Sequence, residues 1–353
     1  MSNHLPLLEI KNLKTYFELD SGTVRAVDGV SFSISHGETL GVIGESGCGK
    51  SVTAHSILRL IPSPPGRIVD GEILFRRDKQ KDDALDLAKL HPKKEQIRHI
   101  RGNDISMIFQ EPMTSFGPLH TIGNQIMEAI EMHQTELSKE QRRKRTVELL
   151  EMVGIPNAEQ RVNAYPHEFS GGMRQRAMIA MALSCSPYLL IADEPTTSLD
   201  VTIEAQILEL LQDLQDQQSM SIMLITHNLA VVSEMSDYIS VMYLGKVAEF
   251  AETDRILDNP LHPYTKGLWR SIPQIEGEIT PLVPIKGSVP GPHDIPTGCV
   301  FASRCEQFME GICDRPQAVP NYEVEPGHFV ACYLYDEDVE GGRVDEQSTT
   351  ASD

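Results

Sequence analysis

The segment GESGCGKS, Gly44 to Ser51, constrains the fold of this chain more than any other stretch. A glycine-rich loop of the form G-x4-G-K-[ST] grips phosphates only when it follows a buried strand and opens a helix. Its backbone N–H groups must converge at a helix N-terminus, where the dipole favours negative charge. Thr39 to Ile43 is a short apolar strand on the N-terminal side of the loop, and Ser51 to Ile61 reads as the helix beyond it. Gly44, Gly47 and Gly49 let the backbone curl, and Glu45, Ser46, Cys48 and Val52 complete the cradle. Lys50 sets a positive charge against the β- and γ-phosphates, and the Ser51 hydroxyl is placed for Mg²⁺. Such a motif arises by chance in about one chain per hundred of this length, and its strand–loop–helix setting makes an ordinary glycine turn rarer still. The fold class is therefore α/β, built on a parallel sheet.

Two further segments follow in fixed order: FSGGMRQR at 169–176 and LLIADEP at 189–195. Asp193 ends an apolar strand, so its carboxylate emerges at the C-terminal edge of the sheet beside the phosphates and is predicted to hold Mg²⁺. Glu194 follows and is the predicted general base for an attacking water. Elsewhere an adjacent Asp-Glu pair would read as a salt bridge; here LLIA before it and PTTSLD after it favour catalysis. Ser170 is an N-cap residue, and Gly171-Gly172 allows close backbone approach, so this helix start is a second phosphate grip. A second grip on one chain makes sense if ATP is sandwiched between two copies of the domain. Ser170, Gly171 and Gly172 would then face the partner's nucleotide, with Ser198, Leu199 and Asp200 lining the seam.

Further strands are predicted at Leu7 to Leu13 and Val24 to Ile34, which alternate as an antiparallel layer, and at Ile105 to Phe109, Tyr188 to Ala192, Ser221 to Thr226 and Tyr238 to Tyr243. A helical pattern from about Thr121 to Arg161 lies between the phosphate loop and the second grip, with Gly154 as C-cap, and another helix runs from about Thr202 to Gln217. Net charge of −20 and pI near 5 argue against nucleic acid as a partner. The longest apolar run, Ala177 to Leu183, is far short of a membrane span, and no secretory signal opens the chain, so a cytosolic location is expected. The stretch after Trp269 is proline-rich and leads to Cys299, Cys305, Cys313 and Cys332. In a reducing compartment such clustering points to metal or cluster ligation rather than disulfides. The spacing C-x5-C-x7-C-x18-C leaves Zn²⁺ and an iron–sulfur cluster both open. Residues 336–353 read as a solvated acidic tail.

FQEPMTS at 109–115, EFSGGMRQRAMIA at 168–180, ADEPTTSLD at 192–200, LHPYT at 261–265 and GCVFASRC at 298–305 resemble the ATP-binding subunits of ABC importers of the oligopeptide/dipeptide type, from about Leu8 to Leu334. The resemblance implies a P-loop cassette with a RecA-like parallel sheet, an antiparallel β subdomain, a helical subdomain at about 111–185 and a small Cys-rich C-terminal module. The implied division is 1–272 for the cassette, 273–335 for the extension and 336–353 for the tail. It assigns His227 to the γ-phosphate as a switch residue, although a lone histidine after a strand is more often structural. Gln110 is implied as a sensor contacting metal or water, and Phe17, or failing it Tyr16, as the aromatic that stacks on adenine. The resemblance favours a [4Fe-4S] cluster over zinc on the four cysteines. Implied partners are a second ABC ATPase subunit, identical or paralogous, two transmembrane permease subunits and an extracellular solute-binding protein, with the chain peripheral on the cytoplasmic membrane face. A nickel or other small-solute importer would use the same cassette; a soluble cassette acting on ribosomes or DNA fits the acidic charge poorly. Three departures stand out. Cys48 replaces a common serine and predicts sensitivity to oxidation or alkylation; Phe116-Gly117 replaces Leu-Asn beside the expected membrane-subunit contact; Asn228 replaces an aspartate after His227.

Overall fold

The computed structural model describes residues 5–110, 115–197, 199–271 and 284–339. Residues 111–114 of the FQEPMTS segment, Ser198, part of the proline-rich passage and most of the acidic tail lie outside the described residues.

Two sheets organise the chain. The first is antiparallel, formed by β1 (Leu8–Leu19), β2 (Gly22–Ile34), β4 (Gly66–Phe75) and β5 (Leu85–Asp86) in the order β2-β1-β4-β5. Leu8, Ile10 and Leu13 turn inward and are buried, as their spacing predicts up to the irregularity at Asn12, where φ is +50°. The second sheet has eight strands, and its centre is parallel: β9 (Tyr238–Tyr243), β3 (Thr39–Ile43), β8 (Ser221–Ile225), β7 (Leu189–Asp193) and β6 (Ile105–Ile108), side by side in that order. Every residue of β3, β7 and β8 is buried. Covered on both faces, these strands read as unbroken apolar runs rather than alternating ones.

Helices fill both faces. α1 (Lys50–Ile57) follows the phosphate loop and packs beneath the antiparallel sheet, and α2 (Glu95–Ile100) lies nearby in the same apolar cluster. The helical region resolves into α3 (Ile122–His133), α4 (Lys139–Met152), the short α5 (Ala158–Arg161) and α6 (Gly171–Ala182). Their buried Ile122, Ile126, Ile130, Leu149, Leu150 and Val153 pack with Ile179 and Leu183 into one core. Ser138 and Gln141 start α4 with a reciprocal capping box. Gly154, at φ +74°, ends it one residue past the Val153 cap, where a left-handed residue is needed. Phe116 belongs to this core, only 5% exposed, so the Phe116 substitution alters helical packing rather than the outer surface.

α7 (Val201–Gln218) and α8 (Leu229–Met235) connect the later parallel strands. The sheet then continues antiparallel through β10 (Lys246–Glu252), β12 (His328–Val330) and β11 (Tyr322–Glu325). The C-terminal segment thus adds strands to the cassette's own sheet. Between them lie α9 (Thr253–Asp258) and α10 (Pro263–Arg270). Glu249 of β10 is fully buried; its carboxylate accepts the N–H groups of Leu261 and His262 and contacts His328 Nε2 at 2.8 Å, pinning the LHPYT segment between sheet and C-terminus. Among the described residues no helix is long and apolar enough to cross a membrane.

Candidate active site

The site is built where parallel strands end. β3 delivers the phosphate loop, β7 delivers Asp193 and Glu194, β8 leads through Thr226 to His227, and β6 leads through Phe109 to Gln110. Strands aligned in parallel release their next residues at one edge, and ligands collect there.

In the loop, Gly44 has φ +151°, and a Cβ on it would lie 2.1 Å from the Met242 carbonyl oxygen; at Gly49, φ is +101° and a Cβ would lie 2.3 Å from that of Ala26. Both positions therefore exclude any side chain. Ser46 and Gly47 are exposed at the crown of the loop, and Val52 is half-buried against the core below. The helix begins at Lys50, and the Lys50 ammonium is held over the loop's own carbonyls, 2.6 Å from Gly44 O and 3.3 Å from Glu45 O. Cys48 does not meet the expectation of a reactive thiol. It is 3% exposed, and burial pushes its pKa up despite the opposing pull of Lys50, so the nucleophilic thiolate is suppressed.

Ser51 Oγ donates to Asp193 Oδ1 at 3.1 Å, which brings two hard oxygen donors together. Burial raises the Asp193 carboxyl above its ordinary range, and the Ser51 hydrogen bond only partly offsets this. A buried carboxylate beside a hydroxyl suits Mg²⁺, which keeps most of its waters and needs few protein ligands. Glu194 sits at φ +47°, a left-handed conformation costly for a non-glycine residue, and its N–H is tied to Ile225 O at 2.8 Å. Its carboxylate is surrounded: Thr197 Oγ1 donates to Oε2 at 2.8 Å, Gln110 Nε2 donates to Oε2 at 2.9 Å, and His227 Nδ1 lies 3.4 Å from Oε1. Burial works to raise the Glu194 pKa, but bonds from Thr197, His227 and Gln110 outweigh it and hold the group below the usual glutamate range. It is ionised at neutral pH, as a proton acceptor must be. Asn228, in place of aspartate, accepts from Ala230 N–H at 3.1 Å and caps α8, a task either residue performs.

The helix start predicted as a second grip is capped as its sequence implies. Ser170 Oγ accepts from Met173 N–H at 3.3 Å and caps α6, and Asp200 caps α7 by accepting from Ile203 N–H at 3.0 Å. Ser170, Gly171, Gly172, Asp200 and Arg176 line a shared open groove of about 410 Å³ that includes no residue of the phosphate loop. A Cβ on Gly171 would meet nothing nearer than 3.9 Å, so its backbone is open to approach. Gln175, fully buried, donates to Pro195 O and ties this helix to the Asp193–Glu194 turn. Of the two aromatic candidates, Tyr16 donates its hydroxyl to Asp28 at 2.6 Å and has Arg25 over its ring, whereas Phe17 is half-buried with Gly66 as its cross-strand partner.

Sequence reasoning missed Thr197 as a partner of Glu194, although PTTSLD contained it, and gave LHPYT no role. Tyr264 of that segment accepts the Glu45 N–H at 3.0 Å, and Arg304 donates to the Glu45 carboxylate. That N–H is therefore engaged inside the protein.

A glycine-rich phosphate loop, a strand-end Asp-Glu pair ringed by Gln, Thr and His, and a separate capped Ser-Gly-Gly helix define a cassette-type P-loop ATPase. The ABC transporter family matches residues 27–197, and the family described as oligopeptide/dipeptide transporter, C-terminal region, matches residues 248–313. The chain is 52% identical over 333 residues to the oligopeptide transport ATP-binding protein AppD of Bacillus subtilis (strain 168), covering 94% of this chain and 98% of that one. It is 47% identical over 335 residues to the dipeptide transport ATP-binding protein DppD of the same organism, covering 95% and 96%. Among solved structures, the dimeric post-hydrolysis state of the ATP-binding cassette MJ0796 bound to ADP and Pi superposes with a TM-score of 0.60 at 26% identity, covering 70% of this chain and 98% of that one. The chain belongs to the ATP-binding subunits of ABC transporters, in the group that carries the oligopeptide/dipeptide C-terminal region.

Proposed function

We propose that this ATPase drives import of oligopeptides or dipeptides from the cytoplasmic face of a membrane, as one of two cassettes paired with two permease subunits and fed by a solute-binding protein. The observation that carries the pairing is the separation of the two phosphate grips. The groove at the Ser170 helix end is lined by no residue of the loop at 44–51. A second cassette placed head to tail supplies each nucleotide with both grips. Peptides as cargo are supported by the match of the C-terminal region and by similarity to the oligopeptide transport protein AppD and the dipeptide transport protein DppD.

In this mechanism Phe17 stacks on adenine, the loop N–H groups and Lys50 hold the phosphates, and Ser51, Asp193 and Gln110 hold Mg²⁺, which neutralises phosphate charge when bound. Glu194 accepts a proton from water oriented with the help of His227. Gln110, bonded to Glu194 at the root of the helical subdomain, reports the state of the nucleotide to that subdomain. The test is ATP turnover by the complex in vesicles with its binding protein. Short peptides are expected to stimulate hydrolysis; stimulation by nickel or another small solute, with none by peptides, would overturn the cargo assignment.

Residues 273–335 are assigned to an extension that carries a [4Fe-4S] cluster. Cys299, Cys313 and Cys332 are buried, and Cys305 is partly buried against the same apolar cluster as Cys299 and Cys313. Met309 packs against both that cluster and the one containing Cys332. Burial raises the Cys332 thiol to about 12, with smaller contributions from Cys299, Cys305 and Cys313. Among the described residues no group of three or more His, Cys, Asp or Glu is placed to hold a metal ion, so the choice of cluster over Zn²⁺ rests on the family resemblance. When bound, such a cluster supplies a covalent staple for a segment with little core. Anaerobic purification should give a brown protein with about four irons per chain; a colourless one with one zinc would decide for zinc.

A further inference from the structure

We propose that Arg304 is a positioning residue of the nucleotide site, acting on the phosphate loop through Glu45. Arg304 stands 259 positions from Glu45, in the turn just before Cys305. Its Nη1 and Nη2 donate to Glu45 Oε2 at 2.6 Å and Oε1 at 3.1 Å, a bidentate pair. The arginine side chain is 4% exposed. Its remaining bonds, from Nε to Lys286 O at 3.0 Å and from Nη1 to Tyr243 Oη at 3.3 Å, go to neutral oxygens. The guanidinium also lies over the rings of Tyr243, 5.7 Å from the centroid, and Phe301, at 6.0 Å. A cation this enclosed has one direction in which to spend its charge, and that direction is Glu45.

Glu45 in turn is fixed at each of its polar groups. Its N–H donates to the Tyr264 hydroxyl at 3.0 Å; its carbonyl accepts from Cys48 N–H at 3.2 Å and Lys50 Nζ at 3.3 Å; its carboxylate is held by Arg304. Tyr264 and Tyr243 pack against each other at 4.7 Å between ring centroids, and both meet Phe301, at 5.4 and 5.3 Å. The LHPYT helix and the Phe301–Arg304 turn therefore form one rigid block against the second residue of the loop. If Arg304 lets go, Glu45 is held by its backbone alone, and the residue whose carbonyl Lys50 contacts is less firmly placed. Binding of phosphates should suffer while the Glu194 proton acceptor, at the end of another strand, is left intact.

The test uses the full chain in its transporter complex, with ATP turnover and titration of a fluorescent mant-ATP as separate readings. Arg304→Gln should raise KM for ATP and Kd for mant-ATP roughly ten-fold, the loss of about one charge-assisted hydrogen bond, with kcat within about two-fold. Arg304→Lys should recover part of the affinity, because it keeps the charge without the planar fork. Glu45→Gln should resemble Arg304→Gln, and the double variant should be no worse than either single one. Unchanged mant-ATP affinity in Arg304→Gln, or penalties that multiply in the double variant, would overturn the proposal. Should Arg304→Gln fail to fold, Glu45→Gln decides by itself: ordinary ATP affinity in that variant contradicts the coupling.

Discussion

His262 offers a pH test of how the C-terminal segment is fastened to the cassette. The side chain is almost fully buried, and its Nδ1 accepts the Tyr264 N–H at 3.0 Å as the cap of α10. That bond needs an unprotonated Nδ1, and the ring also bonds the Ala331 backbone in the C-terminal segment. Burial lowers the His262 pKa from 6.5 to about 4, with Glu249 opposing the shift and Lys266 adding to it. In the folded state the ring is neutral over a pH range where the unfolded chain would protonate it. The sign follows: this contribution is fully present above pH 6.5 and is lost as pH falls toward 4. At about 1.4 kcal/mol per pKa unit the contribution is on the order of 3 kcal/mol, or roughly 6–12 °C of melting temperature for a domain of this size. His262→Asn keeps a side-chain acceptor at the cap but does not titrate. Melting curves of both proteins between pH 7.5 and 4 should converge as pH falls, the wild type losing the larger share. Parallel curves across that window would refute the reasoning.

Gly49→Ala should abolish nucleotide binding, since the new Cβ would meet Ala26 O at 2.3 Å on a backbone with φ +101°; mant-ATP titration reads this directly, and near-normal affinity would contradict the loop geometry. Ser170→Arg should leave single-chain ATP binding intact but block cassette closure, so turnover of the assembled complex is lost; full turnover would sink the sandwich arrangement. Cys48→Ser should leave ATP turnover within about two-fold and the rate of alkylation at neutral pH unchanged, because the native thiol is buried and held protonated.

The parts of the site that are local in sequence were legible. Unbroken apolar runs marked β3, β7 and β8, and the residues released at their C-terminal ends could be named in advance because parallel strands share one edge. Helix starts were legible through their caps, with Ser170 the clearest; α1 begins one residue before its predicted start because the left-handed residue preceding it is Gly49. What escaped depends on distant partners. Arg304 finds Glu45 across most of the chain, and no periodicity encodes that. β11 has no buried residue, so its pattern carries no alternation to read, and its place in the sheet follows from pairing with β12 and, through it, β10. The burial of Phe116, expected only to lie beside the membrane-subunit contact, escaped because a single aromatic in a loop has no period either; it comes from helices assembled later in the chain.

The most direct test of the account is Glu194→Gln in the full chain with ATP and Mg²⁺, followed by turnover and by light-scattering mass. Gln cannot accept the proton from water but fits among Gln110, Thr197 and His227, so phosphate binding should persist while hydrolysis falls by ~10²–10⁴-fold. The trapped nucleotide should hold two cassettes together, giving an ATP-dependent dimer that wild-type protein forms only transiently. Turnover near the wild-type rate would remove Glu194 from its role as base, and lost hydrolysis with no ATP-dependent dimer would contradict the shared-nucleotide arrangement.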